Sequence, residues 1–145
     1  MVDFSALLKK PAGQAKKPEA FPADTYPGII KAWEVGDANK NKTPYVRFHV
    51  VLTGEGTSTT LEDLKEKHID ITKRTFRRDF YLTEDAEWRL DEFLRSMGID
   101  VDSGRPYEET IPECVGKAVQ VEIQQYLNAT SNEIGNQIGG LVGAQ

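Results

Sequence analysis

The chain has 145 residues, 39% hydrophobic and 28% charged, which suffices for one small domain with a real core but not for two. Its formal net charge is −5, from 18 Lys+Arg against 23 Asp+Glu, and at face value this argues against a nucleic-acid or membrane-surface binder, which usually carries a basic excess. A single cysteine, Cys114, excludes an intramolecular disulfide framework, and no run approaches the roughly 18 apolar residues of a membrane span. The first residues are too short of apolar character for a signal peptide, so a cytoplasmic protein with no membrane partner is expected.

The average charge hides a segregated distribution. Residues 1–50 hold eight Lys/Arg against five Asp/Glu, a net of +3; residues 51–82 hold six of each; residues 83–145 hold four against twelve, a net of −8. Within the middle segment the cations cluster again in Lys73-Arg74-Thr75-Phe76-Arg77-Arg78. One basic cluster is usually a solvated face, but two together weaken the objection drawn from net charge.

Residues 1–24 read as a flexible Lys/Pro-rich arm, because Lys9-Lys10-Pro11 and Lys16-Lys17-Pro18 combine charge, proline and small residues that build no core. The folded domain is then 25–145. Tyr26 to Val35 reads as a first strand, followed by the polar turn Gly36-Asp37-Ala38-Asn39-Lys40-Asn41-Lys42, which carries hairpin signals. Residues 45–52 alternate, placing Val46, Phe48, Val50 and Leu52 toward a core and Tyr45, Arg47, His49 and Val51 on the opposite face. A polar connection over 53–68, with one helical turn from Leu61 to Lys65, leads to a long third strand over 69–82. There Phe76, Phe80 and Leu82 share a face with Arg74 and Arg78, while Lys73, Thr75, Arg77 and Tyr81 share the other.

Thr83 is a good helix N-cap, and Ala86, Leu90, Phe93, Leu94 and Met97 repeat at helical spacing up to Gly98, where a C-terminal cap belongs. Trp88 lies off that stripe, at the helix margin or partly exposed. A short helical piece over Tyr107 to Glu113 follows. Residues 117–126 alternate again, with Val119, Val121 and Ile123 inward and Gln120, Glu122, Gln124 and Tyr126 outward. A glycine-weakened edge strand over Ile134 to Val142 ends the chain. Three strands, one long helix and two strands is the layout of the OB-fold, a small, partly open five-stranded Greek-key barrel with the helix between strands 3 and 4. A βαβ architecture fits badly, since the first three strands follow one another directly.

Catalytic signatures are absent: no phosphate-binding G-x-x-x-x-G-K-[ST], no G-x-S-x-G elbow, no H-E-x-x-H and no paired-cysteine zinc spacing occur. Asp70 or Asp79 with Glu84 could hold magnesium for a nuclease, but ordinary roles are expected: Asp79 pairing with nearby arginines and Glu84 serving the helix start. Cys114 reads as a small buried apolar residue. A non-enzymatic protein without cofactor or metal is expected.

The first three strands do carry a pattern of cations and aromatics: Lys31 and Trp33, Lys40 and Lys42 in the first turn, Tyr45 and Arg47, then Lys73, Arg74, Arg77, Arg78 and Tyr81. Single-stranded nucleic acid asks for this combination, because cations follow phosphates while aromatic faces stack on unpaired bases at about 1–3 kcal/mol per base. Phe48, Phe76 and Phe80 are expected in the core, and Trp33 is evenly balanced between core and surface.

The segments YPGIIKAWEVGDANKNKTPYVRFHVVLTGEG, KRTFRRDFYLTEDAEWRLDEFLRSMGID and VGKAVQVEIQQYLNATSNEIGNQIGGL together resemble bacteriophage-type single-stranded DNA-binding proteins with an OB-fold, over residues 22–142. The resemblance implies a role in phage or prophage DNA replication or recombination, in the host cytoplasm. It also implies DNA contacts at Lys40, Lys42, Tyr45, Arg47, Lys73, Arg74, Arg77 and Arg78, with Trp33 and Tyr81 stacking. Phage replication or recombination proteins are further partners it allows, and a homo-oligomer stays open. Many such proteins end in an acidic tail that recruits partners, whereas this sequence ends GGLVGAQ, so recruitment by that route is not expected. A protein-interaction module of a phage replication or structural assembly is the alternative.

Overall fold

The computed structural model describes residues 8–9, 19–38 and 43–144. Most of the expected arm, and with it Lys40 and Lys42, lies outside the described residues. The described chain forms β1 (Asp24–Ala38), β2 (Thr43–Leu52), α1 (Leu61–Glu66), β3 (Thr75–Tyr81), α2 (Glu87–Ser96), α3 (Tyr107–Thr110), β4 (Ala118–Asn128) and β5 (Glu133–Gly143), with short 3-10 turns at Ile71–Lys73 and Ile111–Cys114. All neighbouring strands pair antiparallel, in the order β3-β2-β1-β4-β5. The run β4-β1-β2-β3 is a Greek key.

The alternation read in the sequence is what builds the core. Val46, Phe48, Val50 and Leu52 of β2 and Val119, Val121 and Ile123 of β4 are buried, together with Tyr26 and Ile30 of β1 and Phe76 and Phe80 of β3. α2 adds Leu90, Phe93 and Leu94, and its Phe93 ring lies 5.2 Å from those of Phe48 and Phe80. The helix ends as its sequence predicts. Gly98 has φ of 78°, its N–H donates to the Arg95 carbonyl and the Ile99 N–H to that of Leu94, so that the last carbonyls are satisfied.

Two expectations are corrected. The third strand begins at Thr75 rather than at residue 69, because Asp70 accepts bonds from the Thr72 N–H and hydroxyl and winds 71–73 into a 3-10 turn. The long helix expected between β3 and β4 spans only Glu87–Ser96, capped at Ala86 rather than at Thr83, whereas the helical turn expected from Leu61 forms as α1 behind a Thr60–Asp63 capping box and the short piece expected from Tyr107 forms as α3. The barrel, expected to be partly open, is a sheet that does not close. β3 and β5, its end strands, run in the same direction and touch, but no hydrogen-bonded ladder joins them among the described residues.

The third correction concerns the arm. Residues 19–24 belong to the body: Glu19 N–H donates to the Lys67 carbonyl, and Phe21 is only 2% exposed. Its ring meets Phe76 and Tyr26 edge-on, at 5.4 and 5.9 Å. Its N–H donates to Asn136 Oδ1, and its carbonyl accepts from Asn136 Nδ2 and Gln125 Nε2. One residue thus ties β3 to β4 and β5 across the open seam. Phe21→Ala should cost about 3–5 kcal/mol of unfolding free energy in urea titrations; a loss under about 1 kcal/mol, within the usual range for surface changes, would return it to the arm.

Asp24, at the start of β1, organises the 53–60 connection. Its carboxylate accepts from the Thr57 hydroxyl and from the N–H groups of Ser58 at 2.8 Å and Thr59 at 2.9 Å. Desolvation would raise the carboxyl's pKa, but these hydrogen bonds together outweigh it and hold the group well below the ordinary carboxylate range. A carboxyl depressed in the folded state stabilises above its unfolded pKa near 4 and loses that contribution as pH falls further. Asp24→Asn should therefore be less stable than wild type at pH 7, by about 1–3 kcal/mol. The gap should narrow in denaturation curves taken progressively below pH 4.

Candidate functional site

β3 places the predicted cations on both of its faces. Arg78 lies opposite Phe48 on the inner side, and Arg74, Phe76, Arg78 and Phe80 share it by alternation. The two guanidinium groups do not enter the core. They lie over the phenylalanine rings, 4.7 Å from Phe76 for Arg74 and 5.2 Å from Phe80 for Arg78, with their heads at the seam between β3 and β5. Arg77 projects from the outer face opposite His49, and Tyr81 stands opposite Tyr45 with ring centroids 6.4 Å apart.

These side chains line a groove of about 570 Å³ along the seam. Its β3 wall carries Arg74, Arg77, Arg78, Tyr81 and the carboxylate of Asp79, with Arg47 behind; its β5 wall carries Asn136, Gln137 and Ile138, with Tyr126 reaching over from β4. Among the described residues no carboxylate pairs with Arg74, Arg77 or Arg78. The Arg78 Nε is enclosed and has no hydrogen-bond partner there.

Two tyrosines are seated by glycines. Tyr45 lies across Gly36 of the first hairpin, and Tyr126 lies across Gly135 of the last. A Cβ at Gly135 would fall 2.6 Å from Tyr126 Cζ, so only glycine lets the ring lie down on the neighbouring strand. Tyr126 stays 44% exposed and Tyr81 42%, leaving ring surface open on both sides of the groove.

Other predicted residues fall elsewhere. Arg47 is on the outer face but committed: its Nε and Nη2 donate to Asp79 at 2.7 and 3.0 Å, and Glu34 lies 3.6 Å away. The hydrogen bonds to Asp79 push the guanidinium's pKa above its already high value. Trp33 sits opposite Phe48 and packs against the core, so its assignment to stacking is corrected; the bulge between Ile30 and Ala32 sets that facing. Lys31, in the bulge, is exposed and does not line the groove. Lys73 is carried by the 3-10 turn, beside a separate hollow with Glu19, His68 and Asp70. Tyr126, Asn136 and Gln137 are the groove residues that sequence reasoning missed. The outward facing of Tyr126 was legible, but its closeness to β3 was not.

Asp70, Asp79 and Glu84 do not assemble a metal site: among the described residues no three His, Cys, Asp or Glu could hold an ion together. Cys114 is buried, and desolvation pushes its thiol up to about 12, which leaves it protonated and unreactive near neutral pH. No helix among the described residues is long and apolar enough to cross a membrane. No protein-family model matches the chain, and no curated protein is significantly similar to it.

The Arg47–Asp79 bond is testable directly. A double-mutant cycle over Arg47→Ala and Asp79→Ala should give a coupling of about 1 kcal/mol or more in unfolding free energy. Coupling near zero would mean that Arg47 is free to serve a ligand.

Proposed function

We propose that the protein binds single-stranded DNA with little sequence preference, as a non-enzymatic OB-fold protein. The observation that carries this reading is the seam groove, in which three arginines with no carboxylate partner among the described residues lie between two half-exposed tyrosines, while the groove's own carboxylate, Asp79, is taken up by Arg47. Cations on phosphates and ring faces under unpaired bases are the means by which single strands are held without reading their sequence. The strand order supports the OB assignment: a Greek key with β5 beside β4 and facing β3 is that barrel left open along one seam. In that fold the face of strands 2 and 3 and the loops joining strands 1 to 2 and 4 to 5 bind oligonucleotides. The resemblance of the sequence to phage single-stranded DNA-binding proteins suggests the setting, phage or prophage DNA replication or recombination.

The proposed interface differs in emphasis from the one expected from sequence. In the middle of the β2–β3 face the cation Arg47 is neutralised by Asp79 and Glu34, so the phosphate-binding work moves to the β3 edge. A protein-interaction module is the second reading, favoured by the cross-strand pair Leu127 and Ile134 near the tip of the β4–β5 hairpin, 64% and 58% exposed.

Fluorescence anisotropy with labelled oligo-dT at low salt tests the proposal. Binding should weaken with salt at a logarithmic slope of about −2, as expected for three phosphate contacts on a single strand. Arg74→Glu, Arg77→Glu and Arg78→Glu together should abolish binding while the domain still melts cooperatively. Equal affinity for duplex, or no binding by the wild type, would pass the case to the protein-interaction reading.

A further inference from the structure

Arg78 lines more than the seam groove. It also borders a second trough of about 590 Å³, which lies between Arg78 and Phe80 of β3, Leu141 and Val142 of β5, and α2. Because β3 and β5 run in the same direction, the two troughs follow one another along a single seam. The first lies beside Arg74 and Asn136, the second beside Phe80 and Val142, and Arg78 stands at the junction. The enclosed Nε of Arg78, without an acceptor, is a donor at that junction that an anion would satisfy.

Along the second trough α2 presents Trp88 and Arg89. Trp88 takes no part in the buried stripe of Leu90, Phe93 and Leu94 and is 50% exposed. Its indole is nonetheless held in place: Nε1–H donates to the Asp85 carbonyl at 2.9 Å, and the Arg89 guanidinium lies 5.0 Å from the ring centroid. A fixed, half-exposed indole beside a cation repeats the chemistry of the seam groove. Charge agrees with an anionic occupant. Arg78 and Arg89 have no carboxylate partner among the described residues, Arg95 is neutralised by Asp102 at 2.7 Å, and Glu92 is the one carboxylate in the lining. The other acids of α2 nearest to it, Glu87 and Asp91, both accept from the Tyr107 hydroxyl and do not line the trough.

Resting on the single-strand reading above, we infer that the bound strand does not end on the sheet. It passes over Arg78 and follows the seam to α2, with phosphates on Arg78 and Arg89 and a base against the Trp88 indole. Trp88 is thus a stacking residue, and the helix is part of the binding surface.

The experiment compares oligo-dT of about 4 and about 16 nucleotides, the range of site sizes for one OB domain. The chain has two tryptophans, of which Trp33 packs against the core, so quenching by the longer oligomer should report Trp88. Trp88→Phe should lose that quenching. Trp88→Ala, with a melting curve like that of wild type, should bind the longer oligomer about 5- to 100-fold more weakly and the shorter one unchanged. Wild-type affinity of Trp88→Ala for the longer oligomer, or undiminished quenching in Trp88→Phe, would overturn the inference while leaving the DNA-binding reading intact. Failure of the wild type to bind either length in anisotropy would instead remove that reading, and this inference with it.

Discussion

The seam between β3 and β5 is bridged by side chains rather than by a backbone ladder, and much of the molecule is arranged around that fact. Phe21 joins Phe76 to Asn136 and Gln125 along one stretch, and Phe93 packs on Phe80 along another. Aromatic side chains bury roughly 150–250 Å² each, so a few of them can hold two strands together where hydrogen bonds do not. The same arrangement leaves strand edges that could template pairing with another chain. Arg74, Arg77 and Arg78 stand along one of those edges and repel a second copy of it.

The arginines explain how a chain of net charge −5 can present a cationic surface. Those at the seam lie by phenylalanines and tyrosines and have no carboxylate partner among the described residues, whereas Arg47, Arg95 and Arg105 are each neutralised by acids close by. Arg105, for example, meets both Glu109 and Glu113. Acidic residues of the C-terminal half are also drawn into contacts of their own, as with Glu87 and Asp91 around Tyr107. Burial of the ring, reinforced by the two carboxylates that share its hydroxyl, holds that phenol protonated well beyond its usual range.

Much of the fold was legible because burial in a one-sided strand follows a period of two. The even positions of β2, the odd positions of β4 and the Arg74/Arg78 facing of β3 all read directly from alternation. Gly98 was legible because its role depends on its immediate neighbours alone. Phe21 was not, since its lysine- and proline-rich surroundings resemble a linker and its partners lie far along the chain. The facing of Trp33 turns on a bulge one residue long, which alternation does not reveal. For the candidate site, the identity of the cations was legible and their availability was not. Arg47 looks like Arg77 in the sequence until register sets Asp79 and Glu34 on either side of it. Tyr126 joins the groove only because the sheet curls, a property of the whole molecule.

The Glu34–Arg47–Asp79 chain crosses three adjacent strands and is partly shielded, with the Arg47 side chain 21% and the Asp79 side chain 28% exposed. Dissolved ions screen such a pair far less than they screen the exposed arginines at the edge. Ionic strength therefore acts on the two parts of the molecule unequally. An anionic ligand held at the edge can be stripped by salt from a protein that remains folded, and can be taken up again when the salt is removed.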